Sequence, residues 1–333
     1  MKITSNEIAK IVGVSRSTVS KVLNNYPSIP EKTRKKVLDA IEKYGYEPNF
    51  AAQSLAGKEN RVIGVFIGDI RKKSDNLFSG EKSPYFLKFI SALSRISKQN
   101  RYNILINFIY DIQEIEDIEL LFKNKNISGA IFIGFNKSNK EILKFGENYN
   151  CVYVDIFKDK KINYINVDNV KGGYLATKYL IENGHREILH LSGGKNRISS
   201  IEREKGYKKA LLEYNIENYY IENCKFEEEL AYKKTIEIFN KNNNITAIFS
   251  SNDIMAYGAI KGLKELNLID KISIIGFDNI NISNYITPRL TSINPPIDLL
   301  ADKALKFIIN KEKNSIIIDK LEIIKRESVK KIK

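Results

Sequence analysis

Cysteine and histidine are almost missing from this 333-residue chain: Cys151, Cys224, His185 and His190 are all it has. Two thiols and two imidazoles exclude a disulfide scaffold and a Cys/His zinc cluster, so no metal and no other cofactor is expected. No apolar run approaches the roughly 20 residues that a membrane span needs. Met1 to Glu7 lacks the apolar stretch of a secretory signal. A soluble, cytoplasmic protein is expected. Catalytic signatures are missing too. Gly193-Gly194-Lys195 does not carry the spacing of a phosphate-binding loop, and there is no Gly-x-Ser-x-Gly turn to present a nucleophile. His185 lies in a helix-to-strand turn, His190 falls inside an apolar strand, and Cys151 begins another. All three are expected to be structural, and the chain is not expected to be an enzyme.

What the chain does have is positive charge. Lys and Arg number 54 against 40 Asp and Glu, a formal +14. Such an excess points to polyanions, usually nucleic acid. The density is highest at the front. Residues 1–36 hold eight basic side chains (Lys2, Lys10, Arg16, Lys21, Lys32, Arg34, Lys35, Lys36) against only Glu7 and Glu31.

The same segment has the pattern of three short helices. Thr4-Ser5-Asn6-Glu7 reads as a capping box, in which Thr4 takes an amide three residues on and Glu7 reaches back. Ile8, Ile11 and Val12 follow at helical spacing. Gly13 interrupts, and Ser15 restarts as a second N-cap. A helix over about 16–24 puts Val19, Val22 and Leu23 on one face and Arg16, Ser17, Ser20 and Lys21 on the other. A third, over about 31–44, is expected to bury Val37, Leu38, Ile41 and Tyr44. Two short helices joined by a Gly-containing turn, the second polar and basic outside, describe a helix-turn-helix. The pattern alone also fits a plain three-helix bundle or a protein-docking module.

The wording is more specific than the pattern. Ile8-Ala9-Lys10-Ile11-Val12-Gly13-Val14-Ser15-Arg16-Ser17-Thr18-Val19-Ser20-Lys21-Val22-Leu23-Asn24 closely resembles the DNA-binding headpiece of lactose-repressor (LacI/GalR) family regulators. So does Gly45-Tyr46-Glu47-Pro48-Asn49-Phe50-Ala51-Ala52-Gln53-Ser54-Leu55. Pro30 departs from the family, standing where a Ser usually caps the third helix; Pro suits a first helical turn, so the start shifts by one residue at most. The resemblance implies that Arg16, Ser17 and Lys21 read base edges in the major groove of operator DNA. An Arg can take both acceptors of a guanine. It implies that Thr4, Ser15, Thr18 and Asn24 contact phosphates, which position without specifying. Residues 48–60 resemble the family's hinge helix and linker, with Asn49 at its start. That helix is too short to stand alone in water. It pairs with its dimer mate in the minor groove, where Leu55 is the wedge between base pairs.

From Arg61 onward, apolar strands alternate with helices. Strands are expected at 62–67, 103–108, 129–134, 152–156, 188–192, 246–251 and 272–277, with helices such as 169–183, 202–214 and 253–266 between them. Fully apolar strands separated by helices mean parallel sheets covered on both faces, and about 270 residues make two doubly wound units. The expected fold is thus α/β: a three-helix headpiece over 1–47, a hinge over 48–60, and a core over 61–330. The resemblance implies a two-lobed core like that of periplasmic binding proteins, lobe 1 taking about 61–160 and 293–319, lobe 2 about 161–292 and 320–330. The basic end of the chain resembles no tetramerising leucine heptad, so a homodimer is expected.

Open α/β sheets bind ligands beyond the carboxyl ends of their strands. That rule selects Asp155, Asn252, Asp253 and Asp278, with local readings open beside it: Asp253 as a helix cap, Asp278 as a turn residue. Arg203, in Glu202-Arg203-Glu204-Lys205-Gly206-Tyr207, resembles the family's effector arginine. Phe226 sits where many members place an aromatic ring. Tyr85 and Phe86 follow a loop, Ile70–Lys82, that is longer than the family's usual connection. Carboxylates, an amide, a guanidinium and an aromatic face suit a polyhydroxylated ligand. A repressor of carbohydrate genes, controlled by a sugar or sugar phosphate and bound to near-palindromic double-stranded DNA at the nucleoid, is the function the resemblance implies. A nucleobase or protein effector, or a solute receptor with no DNA role, stays open at this point.

Overall fold

The computed structural model describes residues 3–23, 26–46, 60–68, 83–135, 139–157, 162–241 and 244–332. Two compact units emerge, residues 1–60 and residues 61–333. Asn24, Asn49, Leu55 and the 70–82 loop lie outside the described residues, and with them the hinge.

In the first unit, α1 (Ser5–Val12) opens on the expected capping box: the Thr4 amide donates to Glu7 Oε2 at 2.7 Å and the Glu7 amide to Thr4 Oγ1 at 3.4 Å. Gly13 closes α1 in the left-handed region, φ 72°, which only glycine enters without cost. Ser15 then caps α2 (Arg16–Leu23), its Oγ accepting the Thr18 amide at 3.1 Å. Pro30 stands at the N-cap of α3 (Glu31–Tyr44) and makes no side-chain cap bond. Ile8, Ala9, Val19, Val22, Val37 and Ala40 form the core. Two expectations fail here. Leu38 and Tyr44 are 45% and 43% exposed, because a bundle this small covers only a narrow stripe of α3 and Ala40 takes the inner position.

The second unit holds two six-stranded sheets. The first has the order β11-β5-β4-β3-β1-β2 and is parallel throughout. Its strands are β1 (Val62–Gly68), β2 (Asn103–Ile109), β3 (Gly129–Ile133), β4 (Cys151–Val154), β5 (Tyr164–Val167) and β11 (Ile316–Ile318). Helices α4 (Pro84–Gln99), α5 (Ile115–Lys123), α6 (Lys140–Asn148) and α11 (Ile297–Asn310) belong to this lobe.

The second sheet runs β12-β10-β9-β8-β6-β7, parallel except for β12. It comprises β6 (Ile188–Ser192), β7 (Tyr220–Asn223), β8 (Ala247–Ser250), β9 (Ser273–Phe277), β10 (Thr291–Asn294) and β12 (Glu322–Ile324). Its helices are α7 (Asn169–Glu182), α8 (Ile198–Glu213), α9 (Glu228–Lys241) and α10 (Asp253–Glu265). Each sheet has an apolar cluster on both faces, which is why its strands read as unbroken apolar runs. No described helix is long and apolar enough to cross a membrane.

The lobe boundaries need correction. Tyr164–Val167 pairs with β4 and β11, so lobe 1 extends to Val167 rather than about 160. Thr291–Asn294 pairs with β9, so lobe 2 keeps β10 to its end. The chain passes between lobes after β5, β10 and β11. Two of these passages are tied together: the Asp168 amide donates to Ile318 O at 2.9 Å, and Lys171 Nζ donates to Asp319 O at 2.9 Å.

Candidate functional site

Two places carry polar side chains with no structural need to be where they are. The first is the outer face of α2. Burial of Val19 and Val22 turns Arg16, Ser17, Ser20 and Lys21 outward, all exposed. The hydroxyls of Ser15, Ser17 and Thr18 form a cluster, with Ser15 Oγ 2.7 Å from Ser17 Oγ and 2.9 Å from Thr18 Oγ1. Thr4 Oγ1 is held at 2.8 Å by Glu7 Oε2. Ser15 and Thr4 thus serve first as caps of the two helices, and both residues are exposed.

The second place is a cavity in the core unit, about 510 Å³ of space partly open to solvent. Apart from Ser83, which stands at the N-cap of α4, the wall residues lie past a strand's carboxyl end or in the helix that follows. Lobe 1 contributes Tyr85 and Phe86 from the first turn of α4 and Asp155 from the end of β4; lobe 2 contributes Arg203 from α8, Phe226 beyond β7, Asn252 beyond β8 and Asp278 beyond β9.

Packing explains how Arg203 reaches it. Gly173 of α7 and Gly206 of α8 bring those backbones into contact, and a Cβ on either would strike the other helix's main chain. At this close approach Arg203 Nε donates to Asn169 Oδ1 at 2.9 Å, Nη1 donates to the Ser251 carbonyl, and the guanidinium stacks 3.5 Å from the Phe277 ring centroid. Its third group, Nη2, is 3.7 Å from Asp278 Oδ1. Gly193 leaves room for the Phe226 ring, which overlaps the volume a Cβ would take.

The carboxylates are unequal. Asp155 accepts the Tyr85 hydroxyl at 2.6 Å, and burial raises its pKa despite that bond. Asp278 is buried, yet its Oδ1 has no hydrogen-bond partner among the described residues. Burial pushes its carboxyl up to about 8; the Arg203 guanidinium opposes the shift, while Asp253 and Asp155 add to it. A buried acceptor left empty beside a buried cation is a place where a ligand gains most. Asp155, Phe226 and Asp278 have φ of 55°, 60° and 101°. Left-handed backbone is rare outside glycine, and its clustering on one cavity is a mark of functional constraint.

Asp253 is not part of the wall. It is the first residue of α10, capped by Asn252, whose Oδ1 accepts the Met255 amide at 2.9 Å. The Asp253 carboxylate is fully buried and turned inward, accepting from Ser292 Oγ at 2.6 Å, the Ile280 amide at 2.8 Å and Ser283 Oγ at 3.0 Å. It holds the segment after β9 to the sheet instead of facing a ligand.

Conversely, the cavity includes Ser83, Gly134, Arg197 and Ser199, which sequence reasoning missed. The strand-end rule, applied to β3 and β6 as it was to β4, β8 and β9, finds Gly134, Arg197 and Ser199. His190 lies beneath, stacked between Tyr207 and Phe249, with Nδ1 3.1 Å from the Phe249 carbonyl. Burial lowers its pKa to about 4, so it is neutral and structural. No described group of three or more His, Cys, Asp or Glu is placed to hold a metal ion.

A small helix-turn-helix unit ahead of a two-lobed α/β core with a ligand-sized cleft defines a ligand-responsive DNA-binding regulator. Comparisons with known proteins agree. Residues 4–49 match the family described as bacterial regulatory proteins, lacI family, and residues 177–329 match the periplasmic binding protein-like domain. The chain is 30% identical to the probable HTH-type transcriptional repressor ExuR of Bacillus subtilis, covering 99% of both proteins. Among solved structures it is similar to the lac repressor dimer bound to operator and the anti-inducer ONPF, with a TM-score of 0.82, 23% identity, and 99% and 100% of the two chains covered. It is also similar to the transcriptional regulator CelR in complex with cellobiose (TM-score 0.70, 21% identity, 98% and 100% covered). The chain belongs to the lacI family of bacterial regulatory proteins. It is a DNA-binding transcriptional regulator and not an enzyme.

Proposed function

We propose that the protein is a homodimeric repressor that acts on DNA at the nucleoid, in the cytoplasm, and is controlled by a sugar or sugar phosphate held between the lobes. The observation that carries the effector reading is the pairing of Asp278, with its unfilled Oδ1, and Arg203 on one side of the cleft opposite the Asp155–Tyr85 pair. A ligand hydroxyl can donate to Asp278 Oδ1 and accept from the Arg203 guanidinium, another can donate to the oxygens of the Asp155–Tyr85 pair, and Phe226 offers a flat apolar face to a pyranose. The CelR complex, whose ligand is cellobiose, supports the same class. A nucleobase is the second reading, favoured by three aromatic rings, Tyr85, Phe86 and Phe226, around one small cavity.

A thermal-shift screen of sugars, sugar phosphates and purines tests this. A ligand at 100 times its dissociation constant stabilises the core by about 2.7 kcal/mol. A shift with a hexose or hexose phosphate supports the proposal; a shift with purines alone transfers it to the second reading.

A second copy of the chain is supported by apolar side chains left in solvent near the start of α4 and after β9: Leu87, Ile282 and Tyr285, the last 78% exposed. In the dimer two α2 helices read two half-sites, Arg16, Ser17 and Lys21 contacting bases and Thr4, Ser15, Thr18, Asn24 and Asn49 the backbone. Leu55 of each hinge kinks the centre. Leu55→Ala is expected to weaken operator binding while effector binding stays unchanged; an unaltered operator affinity in a gel-shift titration removes the wedge.

A further inference from the structure

Lys88 is a lobe 1 residue that touches lobe 2 away from the three chain passages. It lies one turn into α4, after the cavity residues Tyr85 and Phe86. Its Nζ reaches across to two successive lobe 2 carbonyls, Asp278 O at 3.5 Å and Asn279 O at 3.3 Å. These carbonyls converge because Asp278 and Asn279 both have positive φ, 101° and 45°, so the chain curls beyond β9 and turns both oxygens toward α4. The opposite side of the same turn is fixed within lobe 2. The Asp278 amide donates to Ile293 O at 2.9 Å, the Asn279 amide to Ser292 Oγ at 3.0 Å, and Arg326 Nη2 to Asn279 Oδ1 at 2.7 Å.

We propose that Lys88 is a positioning residue for the effector site: it ties the Asp278 turn of lobe 2 to the α4 of lobe 1, and so sets how far the unfilled Asp278 carboxylate stands from Tyr85. The inference rests on the effector reading of the cleft. Both contacts are longer than the roughly 2.7–3.2 Å usual for an N–H···O bond. They have room to shorten when the lobes close over a ligand and will lengthen when the lobes part. Other elements facing Lys88 frame the contact without replacing it: Pro84 and Leu87 on α4, with Ile280, Asn281 and Asn284 across a groove. The ammonium also favours the ionised form of the Asp278 carboxylate. One side chain therefore links ligand contact to lobe angle, which is the coupling that allosteric control of DNA binding needs.

Lys88→Met keeps the aliphatic stem and removes the donor; Lys88→Arg keeps a donor. The full-length dimer is followed by hydrogen exchange without ligand, and by titration with D-glucose 6-phosphate and with the neutral aldohexoses, reading operator release. In Lys88→Met, exchange of residues 279–290 is expected to rise at least fivefold while the headpiece peptides and the melting temperature stay as in the parent protein. The concentration for half-maximal response is expected to rise about tenfold, and Lys88→Arg to restore both within threefold. Unchanged exchange in Lys88→Met overturns the tether whatever the ligand results. Raised exchange with an unchanged response overturns the coupling. If none of the sugars acts on the parent protein, the sugar reading fails, and the exchange result still decides whether Lys88 positions Asp278.

Discussion

Arg203→Met is expected to lower the stability of the core unit by about 3 kcal/mol at neutral pH, from buried acceptors left unbonded, and to abolish the effector response. The loss is large because one guanidinium bonds two buried acceptors, Asn169 Oδ1 and the Ser251 carbonyl, and also stands 3.7 Å from Asp278 Oδ1. Methionine can retain the packing against Phe277, but those acceptors stay buried with nothing to bond. Asp278 adds little at this pH, because its buried carboxyl titrates at about 8 and stands mostly as the neutral acid. A second substitution separates structure from recognition. In Arg203→Met/Asp278→Asn the two stability changes should add below about pH 7, where Asp278 is already neutral, and couple only above pH 8, where the parent's carboxylate is ionised against Arg203, while the effector response is lost throughout.

The pH dependence follows from the same carboxyl. Folded Asp278 titrates at about 8, against 3.8 for an ordinary aspartate. Between those values the folded state holds a proton that the unfolded state has released. This group's contribution is therefore present in full below pH 3.8 and is lost as pH rises toward 8. The ceiling is about 1.4 kcal/mol per pH unit. Asp278→Asn mimics the neutral acid, so its stability advantage over the parent protein should widen from pH 5 to pH 8 and then level off. Urea midpoints at several pH values measure it; a gap independent of pH contradicts the burial of Asp278. The double variant should show no such slope from this site.

Arg16→Ala is expected to cost about 1–3 kcal/mol at each half-site, and so at least about thirtyfold in operator affinity for a dimer carrying two copies. Arg16 is exposed on α2 and outside the headpiece core, so the headpiece should keep its fold. The diagnostic result is selectivity. Preference for the base pair that Arg16 reads should flatten, while binding to unrelated DNA falls much less. Equal losses on operator and random DNA would reduce Arg16 to a phosphate contact.

How much of this was visible beforehand depends on the range of the interaction. Caps act over three residues, and the Thr4–Glu7 box, the Gly13 stop and the Ser15 cap all stand where the chain predicts them. Long apolar strands announce themselves for the same reason, since burial on both faces requires apolar residues at every position. The short strands do not. Tyr164–Val167 includes Asn166, whose side chain is buried and hydrogen-bonded to the main chain of Ile156, so the run looks half polar and the lobe boundary drawn before it falls too early. Leu38 shows the limit of helical periodicity, which says which residues share a face but not how wide a stripe the neighbours cover. Asp253 fails for a third reason. Its position past a strand end matches the rule for ligand contacts, but Ile280, Ser283 and Ser292 claim its carboxylate from 27 to 39 residues away. Nothing local records that claim.

The order of the strands also bears on how the protein is made. The first sheet has β11 at one edge, and the second has β12 at the corresponding edge, although both strands follow every other strand in the chain, within residues 316–324. Neither described sheet is complete before residues 316–324 are made, whereas the three headpiece helices are complete by Tyr44. The DNA-reading unit can thus fold on the emerging chain while the sensing unit still exposes unpaired strand edges. A ribosome that stalls before residue 316 therefore leaves a folded headpiece without a working sensor.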